Sequence, residues 1–333
     1  MNPQAVIWII SGKCNLRCVH CYASRFLSAK ELTTSEKLKL IRELAESGVA
    51  HVGITGGEPF LDKNLELYLR EIRDYGMTCD INTNATIMNR ELAKMLRKHD
   101  VFLYVSIDGA NKETHERIRG HGTWDKLMKN LQIIKNEGIE FSTVFAISKL
   151  NYFETGEYVK LAERLGAFSA CMIPLMPVGR ASKEVIPSRS ELTKALKSAE
   201  AAADEIGYWM SVWCFRAAKL IINPRYVSTW ADCRKGKILD IDPAGNLMLC
   251  DVLDIVAGNV RSGFKKALEE YSRNEAVRKV MNPELKEPCA SCPLKNDCMG
   301  GCYARSYMFY KTLDGPDPYC PKVAAVEELQ ETV

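Results

Sequence analysis

The sequence predicts an α/β fold, a parallel sheet wrapped by helices, followed by a small cysteine-rich α+β region. Three observations carry this. Strand-like and helix-like segments alternate six times before residue 210, and the alternation then stops. Of the chain's 13 cysteines, seven lie between Cys233 and Cys320. At 333 residues the chain exceeds the roughly 250–300 that one core usually supports, so a large domain with a smaller appendage is expected. The boundary falls near residue 210, giving domains 1–210 and 211–333.

Each unit has its own signals. Val6-Ile7-Trp8-Ile9-Ile10 is short, β-branched and aromatic, and reads as the first strand. Thr33-Thr34-Ser35-Glu36 opens a periodic helix that closes near Gly48. Residues 51–55 form the second strand, and 63–75 a helix closed by Gly76. The third unit is a strand over 79–82 and a helix over 89–98, and the fourth a strand over 101–107 and a helix over 124–137. The fifth pairs 141–147 with 153–165, and the sixth pairs 168–173 with a long alanine-rich helix over 188–206. Six such units fit either an open doubly wound sheet or a complete or partial barrel, and both gather ligands at the C-terminal ends of the strands. Beyond residue 210, 240–249 reads as a hairpin turning at Pro243-Ala244-Gly245-Asn246. Helical segments follow at 264–271 and 274–280, and a last short helix at 323–330.

Composition excludes several classes. Hydrophobic residues make up 47% and charged residues 26%, as in soluble globular proteins, which excludes a disordered chain, a collagen or a coiled coil. No apolar run approaches the roughly 20 residues needed to span a bilayer, and no signal segment opens the chain, so a cytoplasmic location is expected. A net charge of +3 argues against nucleic acid as partner. In that compartment, 13 cysteines point to metal or redox work rather than to disulfides.

Their spacing sharpens this. Cys14, Cys18 and Cys21 form Cys-x3-Cys-x2-Cys in the loop after the first strand. Three thiolates can hold three irons of a [4Fe–4S] cluster and leave the fourth iron open to a ligand. A closed zinc site, the competing reading, is poorly served by three crowded cysteines with no fourth nearby. Further along stand Cys233, Cys250, then Cys289-x2-Cys292-x5-Cys298-x3-Cys302, and Cys320. A zinc ribbon is the alternative there, opposed by the near-neutral charge. Cys79 and Cys171 lie on expected strands and are assigned to packing. Cys214 sits just past the sixth unit.

The first cysteine loop, with His20 in an aromatic slot, resembles the signature of radical S-adenosylmethionine (SAM) enzymes. So does Gly56-Gly57-Glu58-Pro59 after the second strand, with Ser106-Ile107-Asp108-Gly109 and His115–Gly120 after the fourth. The resemblance covers the whole β/α region and implies a partial (β/α)6 TIM-like barrel. It implies that Gly57 and Glu58 grip the amino group of SAM, with Gly56 and Pro59 in the same turn. Ser106 and then Asn84 become the ribose or carboxylate contacts. Asp108 is either a contact or a turn residue. Arg117 and Arg119 read as surface charges, and 174–179 lines the adenine.

The seven late cysteines resemble the SPASM domain that follows some radical SAM barrels. That resemblance implies two auxiliary [4Fe–4S] clusters, one on Cys233, Cys250 and Cys302, the other on Cys289, Cys292, Cys298 and Cys320. The first then takes Cys214 as its fourth ligand or stays open to substrate. The family reading is an oxygen-sensitive oxidoreductase of maturase type. It cleaves SAM to a 5′-deoxyadenosyl radical and takes electrons from a donor such as ferredoxin or flavodoxin. Substrate is a tetrapyrrole or cofactor precursor, since the first cysteine loop and Pro177-Val178-Gly179-Arg180 resemble the haem-pathway group, or a ribosomal peptide or protein. A multi-cluster electron carrier, from another class, leaves Gly56-Gly57-Glu58-Pro59 unexplained.

Overall fold

A computed structural model describes residues 1–230 and 233–324 of the chain. Six β/α units come first: β1 (Ala5–Ser11) with α1 (Thr34–Glu46), β2 (His51–Gly56) with α2 (Leu65–Asp74), and β3 (Thr78–Thr83) with α3 (Arg90–Lys98). Then β4 (Phe102–Ser106) is followed by α4 (Lys112–Arg119) and α5 (Thr123–Asn136), β5 (Phe141–Ile147) by α6 (Thr155–Arg164), and β6 (Ala170–Pro174) by α7 (Arg189–Ile206). Helix starts follow the expected caps. Thr33 with Glu36 and Ser188 with Glu191 form capping boxes, and Asn89 caps α3. Helix α4 is an addition to the expected set. Asn111 caps it by accepting the amide of Thr114, so a short polar segment that lacks a long apolar stripe still starts a helix.

The alternation ends near residue 210, yet the sheet does not. β7 (Met210–Trp213) and β8 (Val227–Trp230) add parallel strands beyond β6. On the opposite edge β9 (Ile238–Ile241) pairs parallel with β1, and β10 (Asn246–Met248) and β11 (Val256–Asn259) continue antiparallel. The described strands run β11-β10-β9-β1-β2-β3-β4-β5-β6-β7-β8, an open sheet around which six helical units wrap. The expected hairpin is β9–β10. The Asp242 carboxylate fastens its turn by accepting the amides of Ala244 and Asn246. After it come α8 (Phe264–Arg273), α9 (Glu275–Met281), α10 (Lys295–Cys298) and α11 (Tyr303–Tyr310). Most of the expected helix at 323–330 lies outside the described residues.

The main core fills the layer between sheet and helices, where Val6, Trp8 and Ile10 share one cluster with Leu40, Ile41 and Leu44 of α1. The other face of the sheet is different. On β4, Leu103 and Val105 are fully buried while Phe102, Tyr104 and Ser106 are only half-buried. With side chains alternating at period two, Phe102, Tyr104 and Ser106 line an interior that is not packed solid. Tyr104 and Trp213 of β7 meet edge to face there, ring centres 5.0 Å apart. Among the described residues no helix is long and apolar enough to cross a membrane.

Both outer neighbours of the six-unit sheet come from beyond residue 210. A chain ended there loses β9 from the side of β1 and β7 from the side of β6, freeing two apolar strand edges. Such a fragment is expected in the insoluble fraction on expression. A monodisperse 1–210 fragment with native-like circular dichroism would show that the barrel stands without its added strands.

Candidate active site

The loop that leaves β1 carries Cys14, Cys18 and Cys21, and the turn after β2 holds it by backbone. The amide of Gly57 donates to Ser11 O and that of Glu58 to Lys13 O, both at 2.8 Å. The approach is too close for any side chain. A Cβ on Gly57 would sit 1.9 Å from Lys13 O, and Gly56 adopts φ +144° with its Cβ position 2.5 Å from Ser11 O. The two glycines therefore seat the β2 turn on the cysteine loop. Pro59 starts the short 3-10 turn that carries the chain away.

Glu58 is 1% exposed. Its carboxylate accepts the Thr83 hydroxyl and the Asn84 amide, both at 2.8 Å, and the Phe60 amide at 3.2 Å. Burial raises its pKa to about 7, with those three bonds opposing the rise. The Asn84 side chain reaches back to the loop, donating to Asn15 Oδ1 at 3.0 Å, with Cys14 Sγ 4.0 Å away. Ser106 closes β4, half-buried, with no side-chain hydrogen bond among the described residues.

Asp108 is no mere turn residue. It is wholly buried, and its Oδ2 lies 2.9 Å from His20 Nε2 and 2.5 Å from Arg119 Nε, while Oδ1 accepts the Ala146 amide at 2.7 Å. Burial works to raise its pKa, but Arg119 and His20 hold it well below the usual carboxylate range. This corrects the surface reading of Arg119. The end of α4 turns it inward, where Nη1 lies 3.9 Å from Cys18 Sγ. Arg117 does lie outside, on the carbonyl of Leu150. Segment 174–179 and its successor also touch the loop. Gly179 leaves room for Cys21 O, and Arg180 donates from its amide to Cys21 O and from Nε to Cys18 O. The structure thus brings Cys14, Cys18, Cys21, His20, Glu58, Asn84 and Asp108 into one assembly. His20 Nδ1, buried, has no partner among the described residues.

A second assembly gathers Cys214, Cys233, Cys250 and Cys302. Burial is the main force raising Cys214, Cys233 and Cys250, and neighbouring thiols add to it, lifting Cys233 to about 12 and Cys214 and Cys250 well above the usual thiol value. Cys214 stands at φ +55°. Asp240, Cys250 and Asp251 bring ligand atoms within 4.8 Å of one another. A third assembly, Cys289, Cys292, Cys298 and Cys320, lines a small cleft with Asp317 and Gly300. Cys79 and Cys171 stand apart. Burial raises both, and no other thiol contributes to either shift.

These donor sets fit iron–sulfur clusters. Thiols crowded in the interior resist ionisation unless a cation compensates. Two buried polar atoms at these sites also have no partner among the described residues, Nη1 of Arg305 and Nδ1 of His20, whose Nε2 faces Asp108. Sequence reasoning missed Arg119, Arg305, Asp317, Asp251 and Tyr22. The Tyr22 hydroxyl bonds Thr55 and Asp251, tying the residue after Cys21 to the one after Cys250. The one signal available was adjacency to cysteine in sequence.

Glu58→Gln is expected to keep the fold, because a neutral amide replaces a carboxylate whose ionised form is disfavoured. A raised folded pKa means the wild type loses stability as pH climbs from about 4.5 to about 7. The difference in Tm between variant and wild type should grow over that window. A difference independent of pH would remove the buried-acid reading.

Residues 8–162 match the radical SAM superfamily. The chain is 29% identical to the AdoMet-dependent heme synthase of Methanosarcina barkeri, over 96% of each sequence. It is 28% identical to the mycofactocin maturase MftC of Mycolicibacterium smegmatis, over 96% of this chain and 82% of that one. The structure of Streptococcus suis SuiB bound to the precursor peptide SuiA matches with a TM-score of 0.78 at 16% identity, over 96% of this chain and 76% of that chain. The likeness to SuiB bears on the fold alone. With the relatives added to the geometry above, residues 8–162 form a radical SAM domain and the chain is a radical SAM enzyme.

Proposed function

We propose that the chain uses three [4Fe–4S] clusters to abstract hydrogen from a tetrapyrrole or a peptide. The observation that carries this reading is the seating of the Gly56-Gly57-Glu58 backbone on the loop of Cys14, Cys18 and Cys21. In this reading those three cysteines hold the SAM-binding cluster. Cys233, Cys250, Cys302 and Cys214 hold one auxiliary cluster, and Cys289, Cys292, Cys298 and Cys320 the other. With SAM bound, the first cluster supplies reductive cleavage of the sulfonium to methionine and a 5′-deoxyadenosyl radical. The chain's own residues bind and orient. Gly57 and Glu58 offer backbone and carboxylate to the SAM amino group, and Ser106 offers a free hydroxyl to ribose or carboxylate. Asn84 and Asp108 act one step back, through Asn15, His20 and Arg119, which hold the cysteine loop. Residues 1–210 perform the radical chemistry and 211–333 manage electrons.

A tetrapyrrole precursor is supported by the heme synthase relative, aligned over 96% of both sequences. The half-buried aromatic faces of Tyr104 and Trp213 suit a planar ring. A peptide is supported by the maturase relative. In this reading the enzyme works in the cytoplasm and takes electrons from a donor such as ferredoxin or flavodoxin.

Anaerobic reconstitution should give about 12 irons and 12 sulfides per chain. Reduced with dithionite in the presence of SAM, the protein should form 5′-deoxyadenosine. The Cys14→Ala, Cys18→Ala, Cys21→Ala variant should keep about eight irons and lose cleavage entirely. Zinc in place of iron, or SAM binding without cleavage, would overturn the reading. For the substrate, an iron porphyrin with carboxyl side chains and a short precursor peptide are compared. The true class should accelerate 5′-deoxyadenosine formation and lose hydrogen to it, traced with deuterated substrate.

A further inference from the structure

One buried atom without a hydrogen-bond partner among the described residues belongs to a group that cannot give up its charge: Nη1 of Arg305. The rest of the guanidinium is firmly held. Nε and Nη2 donate to the two oxygens of Asp317 at 3.0 and 2.7 Å, and Nη2 also donates to the carbonyl of Cys214. The rings of Phe215 and Tyr319 lie 5.4 and 5.3 Å from Cζ, and the side chain is wholly buried. Arg234, a second buried arginine nearby, shows how such a group is normally satisfied. Its Nε, Nη1 and Nη2 each donate to a carbonyl, those of Gly301, Val280 and Leu313. Arg305 keeps one arm unspent.

The two ends of the Arg305–Asp317 pair lean toward different cysteine groups, although the Asp317 carboxylate also accepts the amide of Cys302 at 3.2 Å. Arg305 belongs to the group of Cys214 and Cys302. Its amide donates to Cys302 Sγ at 3.4 Å, and its charge acts on Cys214. Asp317 lines the cleft of Cys289, Cys292, Cys298 and Cys320, its carbonyl accepts the Cys320 amide, and its charge acts on Cys289, Cys298 and Cys320.

We propose that Arg305 and Asp317 form a buried dipole between the two auxiliary cluster sites. In it, Arg305 Nη1 donates to a sulfur of the cluster on Cys214, Cys233, Cys250 and Cys302. The dipole holds that inner cluster at a higher reduction potential than the outer one. One electron taken from the reductant adds one negative charge to a cluster, which a near cation favours and a near carboxylate opposes. Sites this dry transmit both effects strongly. The proposal rests on the iron–sulfur reading of the two sites.

The test is an anaerobic redox titration of the full chain, followed by electron paramagnetic resonance. It is done in the Cys14→Ala, Cys18→Ala, Cys21→Ala background so that only auxiliary signals remain. Iron content comes first and judges the iron–sulfur reading by itself, since zinc or an empty protein sinks that reading whatever the potentials do. With about eight irons present, Arg305→Gln should lower both midpoints, the inner by more, and Arg305→Lys should restore part of the loss. Asp317→Asn should raise both, the outer by more. If Arg305→Gln fails to retain iron, the opposite shifts expected of the other two variants decide, a smaller lowering for Arg305→Lys and a rise for Asp317→Asn. Unchanged midpoints in iron-loaded variants, or shifts of one sign for Arg305→Gln and Asp317→Asn alike, overturn the proposal.

Discussion

Thiols gathered in a protein interior cannot ionise side by side without a cation, and this constraint organises the molecule. Burial raises Cys14 and Cys18 in the first loop, Cys214, Cys233 and Cys250 in the second group, and Cys289, Cys298 and Cys320 in the third. Metal and sulfide supply positive charge and acceptors at once, so loading releases protons and stabilises the fold. The region after residue 250 shows the dependence most plainly. Among the described residues it contributes one four-residue edge strand and α-helices of four to ten residues, and much of its backbone turns around cysteines. Helices α8 and α9 join the barrel's apolar core through Phe264, Ala267, Tyr271, Val277 and Val280, so it is the cysteine-lined turns beyond them whose folding would depend on bound metal.

Buried arginines complete the charge balance. Arg119 serves the first group, through Cys18 and Asp108. Arg234 and Arg305 stand beside Cys302. Each is oriented by a carboxylate or by carbonyls, so none is free to swing away. A cluster met by a fixed guanidinium has a neighbour of constant charge, while a water-filled surround would screen and fluctuate. This separates the molecule from a simple cysteine scaffold. The cysteines state where metal goes, and the arginines state in what electrostatic surroundings it sits.

That division also marks what the sequence reveals by itself. Cysteine spacing is local, and so is the signal for six β/α units, because hydrophobic periodicity and caps such as Thr33–Glu36 act within a few residues. Arg119 could not be read that way. Its neighbours in sequence are those of an exposed helix end, and only the turn of α4 toward Asp108 buries it. Arg305 lies three residues after Cys302, a spacing that faces one helical turn but says nothing of Asp317 across the loop. The added strands were hidden for a related reason. β7 to β11 are three or four residues long, too short for a period to declare itself, and they exist because β1 and β6 offer open edges.

The register of β1 then joins the two halves of the chemistry. Trp8 pairs with Ile54 of β2 on one side and with Ile241 of β9 on the other. The same pairing that brings the Gly56-Gly57 turn onto the cysteine loop sets Asp240 in the interior, where its Oδ2 accepts the amide of Asp251 at 3.1 Å. Tyr22, directly after Cys21, bonds the Asp251 side chain from the opposite direction. A slip of one residue between β1 and β9 would turn Asp240 toward the helices, because side chains alternate with period two. Asp251 would lose its anchor, and Cys250 beside it would leave its three partner thiols. The alternation within β9 forbids that slip, since Leu239 and Ile241 must face the helical layer to be buried while Ile238 and Asp240 are half-buried. The hydrophobic core thus fixes the distance between the first cysteine loop and the second cysteine group, and Cys233, Cys250 and Cys302 pack directly against it.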